Sequence, residues 1–226
     1  MNLNADLGEG AGADEAILGF VDSANVACAA HAGSISIAIA TALRCRDLGV
    51  EVGAHPGYDD HARFGRVEVA LSAGEIEALV AFQVGGLAAV VPIAYVKAHG
   101  ALYHRCQSDP AAADAVARVA KSHGVGLLGQ PGFELLAAAS RAGIPGYREG
   151  YADRMVMPNG SLAPRTSPGA LLDPIAAARQ AVNLARSGRY DTICIHGDSS
   201  SAAETAGAVR KALRESGVET RPLARR

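Results

Sequence analysis

Five apolar runs in this chain end on an acid–base residue with a glycine no more than two positions further on. They are "MNLNADLGEG", reaching Asp6 and then Glu9, "VACAAHAGS", reaching His31, "VEVGAHPGY", reaching His55, "AYVKAHGAL", reaching His99, and "TICIHGDSS", reaching His196. Short apolar runs bounded by turn residues read as strands buried on both faces, as in parallel sheets. On this criterion strands are expected at 2–6, 24–28, 51–54, 93–98, 125–129, 144–149 and 191–196.

The segments between them carry helix punctuation. Ser72 with Glu75 and Ser201 with Glu204 have capping-box spacing. Asp109-Pro110 and Asp173-Pro174 place a capping carboxylate before a first-turn proline. Gly49, Gly124, Gly188 and Gly217 sit where helices close. Strand alternating with helix, without hairpins, implies right-handed β-α-β units and a parallel sheet. An open doubly wound sheet gathers its ligand at one switch point. Here polar residues close most of the strands, as in a closed barrel where all strand ends share one mouth. The expected fold is therefore α/β, a seven-stranded parallel (β/α) TIM-like barrel, forming a single domain over residues 1–226.

Composition narrows the functional classes. A formal net charge of −2 gives no basic footprint for nucleic acid. No apolar stretch approaches the roughly 20 residues of a membrane span, and no basic-plus-apolar leader opens the sequence, so a cytoplasmic location is expected. Cys28, Cys45, Cys106 and Cys194 include no C-x-x-C pair and read as reduced thiols. The loops 56–71 and 150–172 are longer than the fold needs and read as a lid over the mouth.

Asp6, His31, His55, His99 and His196, on equivalent ends of different strands, are the candidate catalytic groups, since burying so many ionisable side chains is costly without a purpose. The same residue types suit a divalent metal, with Asp6, His31 and His55 as the ligand trio, or direct hydrogen bonding to substrate without metal. Lys97 shares a strand face with His99, and the sequence has only three lysines against eighteen arginines. It can hold a phosphate or a developing oxyanion, or else pair with Asp6 or Glu9. Arg154 and Arg165 can clamp a carboxylate; Glu9, Asp153 and Asp198 complete the substrate-binding candidates. His61, His104 and His123 read as surface residues. No phosphate-binding loop motif occurs, and the glycine-rich "DLGEGAGAD" reads as a flexible rim loop.

The blocks "LNADLGEG", "SANVACAAHAG", "GAHPGYDDHARFGR", "VKAHGALYH", "YADR", "NGSLAPRTSPGAL" and "ICIHGD", in this order, resemble the LamB/YcsF family of bacterial 5-oxoprolinase A subunits. The resemblance implies a barrel of the polysaccharide-deacetylase-like kind. It also implies cleavage of 5-oxo-L-proline to L-glutamate, driven by ATP hydrolysis to ADP and phosphate, with partner subunits B and C. The second block departs from the family's C-G-F-H-A-G-D, reading Cys28-Ala29-Ala30-His31-Ala32-Gly33-Ser34, and Ala98 stands where proline is usual. These departures leave open an altered substrate pocket or partner surface. Two other readings also remain: a metal-dependent amidase or deacetylase acting without ATP, and a non-catalytic subunit that binds a small carboxylate.

Overall fold

The computed structural model describes residues 1–224. Seven parallel strands close into a barrel in chain order: β1 (Asn2–Leu7), β2 (Ser23–Ala27), β3 (Glu51–His55), β4 (Tyr95–Val96), β5 (Gly126–Gly129), β6 (Gly146–Tyr151) and β7 (Thr192–His196), with β7 pairing back onto β1. The helices around it are α1 (Asp14–Leu18), α2 (Ile35–Leu48), α3 (Ala73–Ala88), α4 (Gly100–Cys106), α5 (Pro110–Ser122), α6 (Glu134–Ala142), α7 (Pro174–Arg186) and α8 (Ala202–Glu215). The expected barrel is present. Strand boundaries shift by one or two residues from those expected, most at β4 and β6. β4 stops at Val96 because the Lys97 carbonyl turns to the His55 ring (2.8 Å), and β6 begins only after Pro145, which has no N–H to give a ladder.

Side-chain caps explain half of the helix starts, those of α2, α3, α5 and α7. Ser72 and Glu75 form the full capping box of α3, and Asp109 and Asp173 accept two backbone N–H bonds each at the starts of α5 and α7. The box expected at Ser201 and Glu204 is not made: Ser201 has φ −98° and ψ 9°, not the extended backbone that aims a capping hydroxyl, and its side chain caps nothing. Ser34, one of the departures from the family pattern, caps α2 through a bond from the Ile37 N–H (3.2 Å). Serine and aspartate cap about equally well, so this substitution is local to a helix start.

The apolar core lies outside the barrel, where Leu3, Ala5, Leu7, Val26, Val52, Ile193 and Ile195 pack against the helices. The inner face is polar, contrary to the expectation of strands apolar on both sides. Asn2, Asn4 and Asp6 alternate inward along β1. Thr192 donates to Asn2 (2.6 Å), Asn4 to Thr192 (2.7 Å), and Asn25 to both Asn4 (2.6 Å) and Asp6 (2.7 Å), so a hydrogen-bonded ladder climbs to the mouth. Tyr95 joins it by donating to Asn25 (2.7 Å), and its ring occupies the space a Cβ on Gly53 would need, 2.0 Å away. The foot of the barrel is filled by Tyr95, Leu128, Tyr147 and Leu223, and the backbone N–H groups of Leu223 and Ala224 bond the Glu51 carboxylate, each at 2.9 Å. Among the described residues no helix is long and apolar enough to cross a membrane, and the four cysteines are free.

Candidate active site

A cavity of about 510 Å³ opens at the C-terminal ends of the strands, with Asp6, His55, Lys97, His99 and His196 around its floor. Asp6, His55 and His196 stand on strands, whereas His31 lies in the turn after β2 and His99 at the N-terminal boundary of α4. All five candidates meet there or directly beside it.

Lys97 is the fixed cation of the floor. Its Nζ lies 2.7 Å from Asp6 Oδ1, 3.0 Å from Glu149 Oε1 and 3.0 Å from Cys194 Sγ. Of the partners considered in advance, Asp6 is taken and Glu9 is not; Glu149 was not foreseen. Burial works to raise the Asp6 carboxyl, but Lys97, His55 and His196 outweigh it and hold Asp6 well below the usual range. Burial likewise works against the charged lysine, and attraction to Asp6, Cys194 and Glu149 prevails, holding Lys97 well above its ordinary value. Both groups are therefore charged at neutral pH.

Beside them Glu9, His31, His55 and His99 bring one donor atom each within 4.8 Å of one another. Asp6, expected to complete a trio with His31 and His55, falls instead into a second group with Cys194 and His196, although its Oδ2 is 3.5 Å from His55 Nε2. Burial pushes His31 down to about 2 and His55 to about 4, with neighbouring cationic groups adding to the effect. Burial, then Asp6 and Asp198, push Glu9 well above the usual carboxylate range. Glu9 reaches this cluster because its loop is tied back: the Gly8 N–H bonds Asp14 (2.8 Å). Gly33, at φ +68°, lies so close that a Cβ there would sit 2.1 Å from the Gly8 oxygen.

Asp153, expected to touch substrate, instead grips His196: its carboxylate accepts from Nδ1 at 3.0 Å and from the backbone N–H at 2.9 Å. That fixes the tautomer and leaves Nε2 toward Asp6 Oδ2, 3.8 Å away. A base and the carboxylate that orients it adopt the same hydrogen-bond geometry in a nucleophilic triad.

The rim is basic. Arg165 pairs with Asp198 (2.9 Å), and Arg66, which sequence reasoning missed, pairs with the same carboxylate while its guanidinium lies 4.5 Å over the Phe64 ring. Arg154 donates to the Ala163 carbonyl (2.6 Å), and its buried Nε has no partner. The loop 150–172 supplies Arg154 and the stretch from Leu162 to Thr166 to the cavity wall, and the loop 56–71 supplies Arg66. His104, expected on the surface, is exposed but stands on that wall; His61 and His123 are exposed. Ala98 also lines the cavity.

A family model described as LamB/YcsF matches residues 1–226. The chain belongs to the LamB/YcsF family. Among LamB/YcsF relatives, the 5-oxoprolinase A chain of Chloroflexus aggregans (strain MD-66 / DSM 9485) is 42% identical over 246 residues, covering 98% of each chain. That of Neisseria meningitidis serogroup C (strain 053442) is 39% identical over 97% of this chain and 98% of its own. The crystal structure of the lactam utilization protein from Thermus thermophilus superposes with a TM-score of 0.89 at 39% identity, covering 98% of each chain. A family 4 carbohydrate esterase from Streptomyces lividans shares the fold alone, with a TM-score of 0.55 at 9% identity over 97% of this chain and 90% of the esterase.

Two signals for the missed LamB/YcsF residues were present in the sequence. The alternation N-x-N-x-D in "NLNADL" marks an inward polar face, and Glu149 and Tyr151 repeat that spacing at the end of β6, where Tyr151 donates to Glu149 at 2.7 Å.

Proposed function

We propose that this chain is the lactam-opening component of an ATP-dependent 5-oxoprolinase, converting 5-oxo-L-proline to L-glutamate together with partner subunits B and C. The observation that carries the reading is the Asp153–His196 dyad aimed at Asp6 across a lysine-held, arginine-rimmed floor, in a chain similar throughout its length to proteins named as the A component of 5-oxoprolinase.

A five-membered lactam is an unstrained amide, and ATP supplies the missing drive by transferring a phosphoryl group to the lactam oxygen. Arg154 and Arg165 anchor the substrate carboxylate, and Lys97 faces the oxygen where negative charge gathers. A water held between Asp6 Oδ2 and His196 Nε2 attacks the activated carbon, and His196 takes its proton. His196 then returns that proton to the ring nitrogen as the C–N bond breaks. The product of this step is γ-glutamyl phosphate, whose hydrolysis releases glutamate and phosphate. The absence of a phosphate-binding loop motif favours an ATP site contributed by, or shared with, the partner subunits.

The test is release of ADP and glutamate from 5-oxoproline plus ATP, with this chain alone and with its B and C partners. Turnover that requires the partners is the expected result. Absence of turnover with partners of verified competence would overturn the reading and favour a binding role or a different amide.

A further inference from the structure

Two backbone carbonyls fix the protons of the histidine cluster. The Lys97 carbonyl is 2.8 Å from His55 Nδ1, and the Phe64 carbonyl is 3.0 Å from His99 Nε2. A carbonyl only accepts, so each of these nitrogens carries the hydrogen of its neutral ring. The nitrogens left over, His55 Nε2 and His99 Nδ1, then bear lone pairs, and they face each other at 2.9 Å. Glu9 Oε1 looks at the same place, 3.4 Å from His99 Nδ1, 3.5 Å from His31 Nε2 and 4.0 Å from His55 Nε2. Neither Glu9 Oε1 nor either nitrogen of the fully buried His31 has a hydrogen-bond partner.

Ring lone pairs and a carboxyl oxygen converging on one point stay unmatched unless shared protons or a metal cation lie between them. Spacing indicates its kind. Donors about 2.0–2.1 Å from a tetrahedral ion stand about 3.3–3.4 Å apart. Glu9 lies 3.4 and 3.5 Å from His99 and His31, while His55 sits 2.9 Å from His99 and 4.0 Å from Glu9 and must shift on binding. We propose that Glu9, His31, His55 and His99 form a binding site for one divalent transition-metal ion of the zinc class. The carbonyl bonds behind His55 and His99 are the outer partners that metal-bound imidazoles use to set their tautomer. His31 and His99 are stacked, with centroids 3.7 Å apart and ring planes within 6°, so their lone pairs do not meet in plane. Seating the ion tilts His31, the ring bonded to nothing. The neighbouring trio of Asp6, Cys194 and His196 is not the site, because the Lys97 ammonium already occupies Asp6 and Cys194 at 2.7 and 3.0 Å and repels a second cation. An ion beside Asp6 would supply Lewis-acid chemistry at the cavity floor.

The test needs no substrate. Full-length protein stripped with chelator is titrated with Zn²⁺, Co²⁺ and Mn²⁺ by calorimetry, with bound metal counted by elemental analysis and the visible bands of Co²⁺ recorded. One equivalent is expected. Glu9→Gln and His31→Gln should each weaken it about a hundredfold or more, beyond what losing an outer-shell partner costs. Asp6→Asn and Cys194→Ala should leave it within a few-fold of the unaltered chain. Circular dichroism of every variant checks folding, and one folded variant of the first pair suffices. Failure of all three ions to bind stoichiometrically overturns the proposal and leaves a shared proton between His55 and His99. Binding that survives Glu9→Gln but is lost in Asp6→Asn overturns it in favour of the other trio.

Discussion

Asp153 holds both the imidazole and the backbone of His196, at 3.0 and 2.9 Å, so one carboxylate sets the position and tautomer of one ring. Asp153→Asn presents an amide of the same shape that can turn its NH₂ toward Nδ1 and reverse the tautomer. The expected outcome is a fall in kcat of roughly three to four orders of magnitude with KM little changed, as when a triad loses its orienting acid. Steady-state kinetics of the assembled enzyme check this, and an unaltered kcat would remove His196 from proton transfer.

Lys97 is fully enclosed with two carboxylates on its ammonium. Lys97→Met leaves Asp6 and Glu149 buried without their counter-charge, at an expected cost of about 3–5 kcal/mol. Urea unfolding measures it. A loss below about 1 kcal/mol would mean the three charges are held chiefly by the ladder beneath them.

Arg154 is buried with a spare Nε donor at the cavity wall. Arg154→Lys keeps the charge but loses the planar fork, and it should raise KM for 5-oxoproline about tenfold to a hundredfold with a smaller change in kcat. Equal loss in both parameters would place Arg154 at the reacting oxygen instead of the carboxylate.

Ala29 has φ +64°, a left-handed backbone that its Cβ disfavours. Ala29→Gly relieves that strain, offset in part by the looser unfolded chain. A gain of about 0.5–1 kcal/mol is expected in thermal or urea unfolding.

Asp109 caps α5 and also accepts from Arg105 at 3.0 Å, and that bond, with those from Ala112 and Ala111, holds its carboxyl below the ordinary value. Asp109→Ala should cost about 1 kcal/mol at neutral pH. Because the folded value is the lower one, this contribution is whole above the unfolded carboxylate's value of about 3.9 and fades as pH falls through the folded value. Unfolding curves of the two proteins should therefore converge in acid.

The barrel was legible because a strand end is a local event. An apolar run, a polar terminus and a capped helix each leave their mark within a few residues, and closure follows from how many strands end on acid–base groups. His31, His55, His99 and His196 could be named in this way, but their grouping could not. Whether Asp6 or Glu9 stands among the histidines depends on Lys97 claiming Asp6 from across the barrel, a contact between residues 91 positions apart. Asp153 was assigned to substrate because nothing nearby in sequence announces that it meets His196, 43 positions on. Arg66 was missed because the carboxylate it meets, Asp198, lies 132 positions on. The Ser201 cap failed for a similar reason: its spacing was right, but the turn from Ser199 to Ala202 (3.1 Å) sets its backbone.

Among the described residues, Leu223, Tyr95, Leu128 and Tyr147 fill the foot of the barrel and close the well on that side, so the cavity opens at the rim. Whatever is bound must leave by the route it entered. Product still in the well therefore bars the next substrate, and inhibition by product should be competitive. On the proposed function, a partner subunit would have to deliver at the arginine-lined opening, the same face on which the lactam is opened.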